Sequence, residues 1–119
     1  MSVASRIIAA VAFTGFPCEQ IRYDGSEDTY FTFNMDTSPA DFADDEPGAE
    51  VWSVMLHLFA PFTLDTTQLR RRIRTAIRAA GFTAPSMVDA SEKVRVADGT
   101  EQHLVFEFET ATGVGDEDD

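Results

Sequence analysis

Apolar residues at helical spacing open the chain. In residues 3–14 they recur three and four positions apart, which predicts a helix that ends at Gly15. Ile8 and Ala12 widen the apolar face beyond one stripe, so we expect this first helix to be well covered by the rest of the domain.

A second segment with the same spacing spans residues 66–80. Asp65 is placed to cap its start, and Gly81 is placed to end it. Its predicted buried stripe consists of Leu69, Ile73, Ala76, Ile77 and Ala80. Its remaining faces carry five arginines, which are Arg70, Arg71, Arg72, Arg74 and Arg78. The pattern therefore predicts an amphipathic helix with a strongly basic outer surface.

Alternating or continuous apolar runs predict the strands. Residues 19–23 and 29–36 flank a stretch of turn formers and predict a hairpin. Residues 50–60 are apolar on both faces, which favours a central strand or one that also contacts a partner subunit. Residues 87–96 and 102–110 predict a second hairpin across an Asp-Gly turn.

The order of these elements defines the expected fold class. It reads α-β-β, long acidic loop, β-α-β-β, which predicts an α+β domain with two helices on one sheet of about five strands. We expect the sheet to be antiparallel, possibly mixed. Residues 1–110 form one domain in this interpretation, and residues 111–119 form an acidic tail that we expect to be disordered.

The long loop between the second and third strands is the most unusual segment. Residues 37–49 contain two prolines and a glycine, and their apolar positions follow neither the helical nor the strand period. With Asp36, the loop carries five carboxylates: Asp36, Asp41, Asp44, Asp45 and Glu46. Their spacing does not match a calcium loop, so we expect no metal and no other cofactor. Like charges and prolines also predict the least ordered internal segment of the free protein.

Charge excludes several functions. The formal net charge is −12, from 21 acidic and 9 basic side chains in 119 residues. Phosphates of nucleic acid and of anionic membranes are repelled by such a chain, so neither is an expected partner. The single cysteine, Cys18, excludes a disulfide within the chain.

The residue types needed for catalysis are sparse. His57 and His103 are the only histidines, and His57 fits the alternation of a strand, where a packed imidazole is the commoner role. Cys18 with a distant histidine lacks a local nucleophile signature. No phosphate-binding glycine loop or serine elbow is present. We therefore expect no catalytic site.

A binding surface is the better hypothesis. Phe42 is an apolar ring among carboxylates, so it is either tucked into its own domain or anchors on a partner. The arginines are either a solvated face or the complement of a neighbour's acidic loop. The candidate interface residues are Asp41, Phe42, Asp44, Asp45, Glu46, Arg70, Arg71, Arg74 and Arg78.

The run from residue 29 to 61 resembles the tail terminator proteins, also called tail completion or head–tail joining proteins, of long-tailed phages. The resemblance lies in an aromatic strand ending in Asn34-Met35, the loop from Ser38 to Pro47 with its Asp-Asp-Glu-Pro ending, and the strand that follows. Ala80-Gly81-Phe82 after the second helix, and a closing strand, are similar as well.

The resemblance implies a homo-oligomeric ring, usually a hexamer, that caps the tail tube and stops its polymerisation. The implied partners are further copies of the chain, the tail tube protein and the head connector, with DNA passing through the lumen without specific binding. The implied location is the virion, after assembly in the host cytoplasm. The alternative from the residues alone is an acidic DNA mimic or inhibitor, which needs carboxylates spread over one face.

Overall fold

The structure, a computed structural model, describes residues 2–39, 50–91 and 102–112. The predicted α+β class and element order are confirmed. The predicted loop and tail both begin too early, because residues 37–39 belong to β2 and residues 111–112 belong to β5, where backbone pairing with β3 continues. The remainder of the acidic loop (40–49), the turn of the second hairpin and the remainder of the acidic tail (113–119) lie outside the described residues. The elements are α1 (Val3–Val11), a 3-10 turn (Ala12–Thr14), β1 (Cys18–Gln20), β2 (Tyr30–Pro39), β3 (Glu50–Ala60), α2 (Thr67–Ala79), β4 (Ser86–Asp89) and β5 (Gln102–Thr112).

The sheet has five strands in the order β1-β2-β3-β5-β4, so β3 is central as predicted. β3 pairs antiparallel with β2 from Phe59 to Glu50 and with β5 along its whole length. β4 pairs antiparallel with β5, in agreement with the predicted second hairpin. Asp65 accepts a hydrogen bond from the Thr67 amide at 3.0 Å at the start of α2, one residue before the N-cap Thr66, whose own side chain makes no capping hydrogen bond.

The predicted first hairpin is wrong, because β1 and β2 pair in parallel, with Cys18 opposite Phe31. β1 is also shorter than predicted. Ile21 adopts a left-handed backbone conformation with φ of 74°, which turns the chain out of the strand. The turn-forming stretch that follows therefore carries the chain back along the sheet instead of closing a two-strand hairpin.

The direction of α1 explains the parallel pairing. Arg6 contacts Ala80 just after the end of α2, and Phe13 contacts Arg72 near the middle of α2, so the two helices are antiparallel. α2 follows β3 and runs antiparallel to it, so the start of α2 lies at the end of β3, beside the start of β2. Because α1 is antiparallel to α2, α1 ends at the same edge of the domain where β2 begins. A strand that leaves α1 there can only run in the same direction as β2.

The hydrophobic core lies between the helices and one face of the sheet. As predicted, alternate residues of β2, β3 and β5 point into it, and each helix contributes one apolar stripe. The largest completely buried side chains are Ile7, Val11, Phe31, Phe33, Val54, Leu56, Leu58, Ile73, Ile77, Leu104 and Phe106. The opposite face of the sheet, which we call the open face, has no helix on it among the described residues.

Arg6, which is half-buried at the edge of the core, links α1 to the end of α2 and to the sheet. Arg6 donates through Nε and Nη2 to the Ala80 carbonyl, at 3.2 and 2.9 Å, and its guanidinium lies 4.5 Å from the Phe82 ring centroid. Phe82 in turn packs edge-on against Phe108. The arginine thereby satisfies a carbonyl at the C-terminus of α2, where a positive charge is favourable.

The expectation that α1 is well covered is wrong. Ile8 and Phe13 are 43% and 39% exposed, and Ala12 is also exposed. Only the stripe containing Val3, Ile7 and Val11 faces the core, since two layers can cover only one side of a helix. A second apolar flank of α1 is left at the surface of the single chain.

Replacement of Phe33 by Ala should lower the free energy of unfolding by about 3–5 kcal/mol, because a completely buried ring leaves a cavity between β2 and the helices. Urea unfolding followed by circular dichroism measures this. The matched control is Phe62→Ala, where the ring is 72% exposed and the expected change stays within about 0.5 kcal/mol. Equal losses in the two variants would contradict the described core.

Candidate interaction surfaces

The predicted arginines do not form one equivalent set. Arg71, Arg74 and Arg78 are exposed on the outer side of α2, and none has an ion-pair partner among the described residues. Arg70 is held locally, since its Nε donates to the Thr66 hydroxyl at 3.0 Å and its Nη2 lies 3.9 Å from Asp89. We call Arg71, Arg74 and Arg78 the arginine surface. The acidic half of the predicted interface, Asp41, Phe42, Asp44, Asp45 and Glu46, lies outside the described residues.

Charge is segregated by layer. α1 and α2 together contain six arginines and no carboxylate. The rest of the chain therefore carries three basic and 21 acidic side chains, a formal charge of −18. A basic helical layer on a strongly acidic protein is not explained by overall composition, and it favours an anionic partner for the helices.

An apolar groove runs between α1 and α2 on the surface that faces away from the sheet. Two adjoining depressions form it, and they share Ala76 and Ala79. Arg72 lies across the Phe13 ring at 4.6 Å from its centroid. We call the two depressions together the helix groove, whose lining includes Ala9, Phe13, Arg71, Arg72, Ala76 and Ala79. The exposed ring of Phe13 thus lies beside the arginine surface, whereas Ile8 lines neither depression.

The open face of the sheet carries a row of stacked rings at the end where β2 begins. Tyr30 stacks on Phe59 at 5.1 Å between ring centroids, and Phe59 stacks on His103 at 4.4 Å. Tyr23 from the connector extends the row onto Tyr30. These rings pair across three neighbouring strands, which covers part of the apolar surface that no helix covers.

The two histidines of the chain are hydrogen-bonded to each other on this face. His57 Nδ1 lies 2.9 Å from His103 Nε2, and His57 Nε2 lies 3.1 Å from the Asn34 side-chain oxygen. Because that oxygen accepts from Nε2 of His57, neutral His57 accepts at Nδ1 and His103 donates. Two imidazolium rings cannot keep this contact, since both facing nitrogens would then carry hydrogen.

Burial lowers the pKa of both imidazoles, and the charge of His103 adds to the shift at His57. The pKa of His57 is lowered, first by burial and then by the charge of His103. Burial also lowers the pKa of His103, against an opposing effect of Asp89. The pair is therefore a weak base placed on a sheet surface.

Cys18 does not offer a thiolate. Burial, and secondarily the charge of Glu19, raises the pKa of its thiol to about 12, so the sulfur stays protonated at neutral pH. Its side chain packs against the core cluster, which is the role of a small apolar filler.

The other end of the open face is acidic. A shallow depression there is lined by Asp36, Glu107 and Glu109, beside Asn34 and Met55. Within residues 2–39, 50–91 and 102–112, no three His, Cys, Asp or Glu side chains converge to hold a metal ion. No helix of the same described ranges is long and apolar enough to span a membrane.

Sequence reasoning found the basic face of α2 but missed the helix groove and the histidine pair. The groove was missed because the sequence does not show whether the ring of Phe13 is covered or exposed. That depends on how α1 and α2 pack against each other. The pair could have been found from the strand register, since His57 and His103 share the outward parity of neighbouring strands.

Comparison with models of known protein families gives no match to this chain, and comparison with curated protein sequences gives none either. The family resemblance of residues 29–61 therefore stays a prediction.

Stability should fall as the pH is lowered from about 7 to about 5. Both histidines have folded-state pKa values below the ordinary 6.5, so their contribution is complete above that value and is lost as the pH falls toward the lowered pKa values. The double variant His57→Gln/His103→Gln should show a flatter profile of urea midpoint against pH. The pKa of Asp89 is lowered as well, and its loss begins only in more acidic solution. An unchanged slope in the double variant would disprove the assignment.

Treatment with a chelator should leave the melting temperature unchanged, because the described core and sheet hold together through packing and hydrogen bonds. Differential scanning fluorimetry with and without EDTA measures this. A drop of several degrees would instead indicate that carboxylates of the chain, including Asp36, bind a structural cation.

Proposed function

We propose that the protein is a structural assembly protein of a long-tailed phage, which forms a homo-oligomeric ring, ends polymerisation of the tail tube and offers a joining surface to the head connector. The resemblance of residues 29–61 supports the phage family. The charge segregation between the helical layer and the rest of the chain supports the ring, and it is the observation on which this proposal depends.

Charge segregation favours head-to-tail association of identical subunits. The basic surface and the acidic surfaces occupy different parts of one chain. When the basic surface of one subunit binds an acidic surface of another, each subunit at the end of the assembly still has one free surface for a further copy. Such a heterologous contact closes into a ring when the rotation between subunits is suitable. A symmetric two-fold contact through α2 would place arginine surfaces against each other, which costs free energy.

Several weak contacts must act together in this arrangement. An exposed ion pair contributes roughly 0–1 kcal/mol, so Arg71, Arg74 and Arg78 alone do not hold a stable ring. The exposed apolar side chains of Ile8 in α1 and Phe13 in the turn after it supply surface that is better buried against a neighbour. Charges then fix the orientation of the contact while apolar burial stabilises it.

The acidic remainder of the chain suits passage of DNA. Asp36, Glu107 and Glu109 lie together on the open face, opposite the helical layer. In a ring held together through the helices, carboxylates at the lumen would repel phosphates and keep DNA from adhering. The DNA-mimic alternative is less well supported, because α1 and α2 present six arginines and no acid.

The purified chain should sediment as a ring at about 0.1 M salt and dissociate toward smaller species at about 1 M, where the Debye length falls from about 10 Å to about 3 Å. Negative-stain microscopy should show rings, and the protein should shorten tubes when added to polymerising tail tube protein. Arg74→Glu should weaken both effects, whereas Arg22→Glu makes the same charge change in the β1–β2 connector and should not. A monomer at both salt concentrations with no effect on tube length would exclude the proposed function.

A further inference from the structure

We infer that the helix groove receives residues 41–46 of a second copy of the chain, with Phe42 seated between α1 and α2. This inference rests on the proposed function, because it names the contact through which the ring forms. It assigns the groove as the receptor and the Asp-Phe-Ala-Asp-Asp-Glu segment as its ligand.

The groove fits an aromatic ring. Ala76 and Ala79 are small, so α1 and α2 leave a trough between them that continues from one depression into the next. Phe13 borders the trough with a ring that is 39% exposed. An apolar side chain placed there would cover Phe13 and complete the burial of α1 that the chain's own sheet cannot provide.

The rim of the groove selects for negative charge. Arg71 and Arg72 line it, and Arg74 and Arg78 follow on the exposed side of α2. Neither helix contains a carboxylate that could neutralise them internally. A ligand with one apolar ring and several carboxylates would satisfy both the floor and the rim.

Residues 41–46 have that composition. They hold four carboxylates around Phe42, which is the one aromatic residue in the stretches 40–49, 92–101 and 113–119. The acidic tail has comparable charge but no ring, so it lacks the group that the floor of the groove accepts. The paired ends of β2 and β3, Pro39 and Glu50, fix both ends of this segment to the sheet.

The segment starts on the far side of the end of α2. The Thr110 hydroxyl donates to the Gly81 carbonyl at 3.3 Å, so the end of α2 lies level with Thr110 and its strand partner Trp52. Glu50 lies two residues further along β3, which is about 7 Å beyond that level. The loop is therefore attached beyond the helical layer.

The attachment point favours a neighbour's groove over the chain's own. Ala79, which lines both depressions, lies two residues back from Gly81 along α2, about 3 Å in the opposite direction. Phe42 is three residues beyond Pro39, a span of about 10 Å at full extension. About 10 Å along the layer and a helix about 10 Å across separate Pro39 from the groove of the same chain, which is more than the backbone span. The groove of a neighbouring copy has no such limit.

Two variants test the contact from its two sides. Phe42→Ala removes the anchor, and Ala79→Glu places a carboxylate at an exposed position in the groove. Each variant alone should lose self-association by roughly 30-fold or more, as expected for a central anchor. Matched controls are Phe62→Ala for the lost ring and Gln68→Glu for the added charge on α2 outside the groove, and both should assemble like the unchanged protein.

Mixing the two defective variants gives the sharper readout. The Phe42→Ala chain keeps an intact groove and the Ala79→Glu chain keeps an intact segment, so one contact can form between them. Sedimentation of the mixture should show a heterodimer and nothing larger. Failure of the mixture to associate, or assembly of either variant alone as in the unchanged protein, would overturn the inference.

The remaining outcomes separate this inference from the proposed function. If both variants form rings and cap tubes normally, the groove is not the contact, although the proposed function stands. If Phe42→Ala lowers the melting temperature of the monomer and leaves assembly intact, Phe42 belongs to its own domain and the inference is wrong. If the unchanged protein neither associates nor caps tubes, both the inference and the proposed function fail.

Discussion

Burial of a single face of the sheet is the constraint from which the other features of this molecule follow. β3 pairs with a neighbour along both edges, and its alternate residues Val54, Leu56 and Leu58 are completely buried against α1 and α2. The described residues place two helices on five strands, and both helices lie on the same face of the sheet. On the open face, stacked rings and hydrogen-bonded imidazoles cover apolar surface at one end, and carboxylates lie at the other end.

Several elements could be read from the sequence because local patterns determine them. Periodicity located both helices and the long strands, and the completely buried rings of Phe31 and Phe33 stand two residues apart in β2, as one face of a strand requires. Asp65 and Gly81 marked the ends of α2 because capping depends on near neighbours. The prediction of the first hairpin was wrong because the direction of β1 depends on where α1 ends relative to the sheet. That position is set by the packing of α1 against α2 and not by the residues of the turn.

The candidate site shows the same division. The basic face of α2 is visible from the spacing of its arginines, yet the sequence does not show that Arg70 is held by Thr66 and Asp89 while Arg74 is not. The exposure of Phe13 and the contact between His57 and His103 depend on helix placement and strand register. Both arise between segments that are far apart in the chain, and so no local pattern predicts them.

Segregation of charge by layer also creates an electric dipole within the described residues. Six arginines lie on the two helices, and ten carboxylates with one arginine lie on the other described residues, so the centre of positive charge is displaced from the centre of negative charge. Two copies that approach in solution therefore experience a torque before they touch, in spite of the net repulsion between them. The electric field orients each encounter between copies. Ionic strength consequently affects the association rate as well as the affinity.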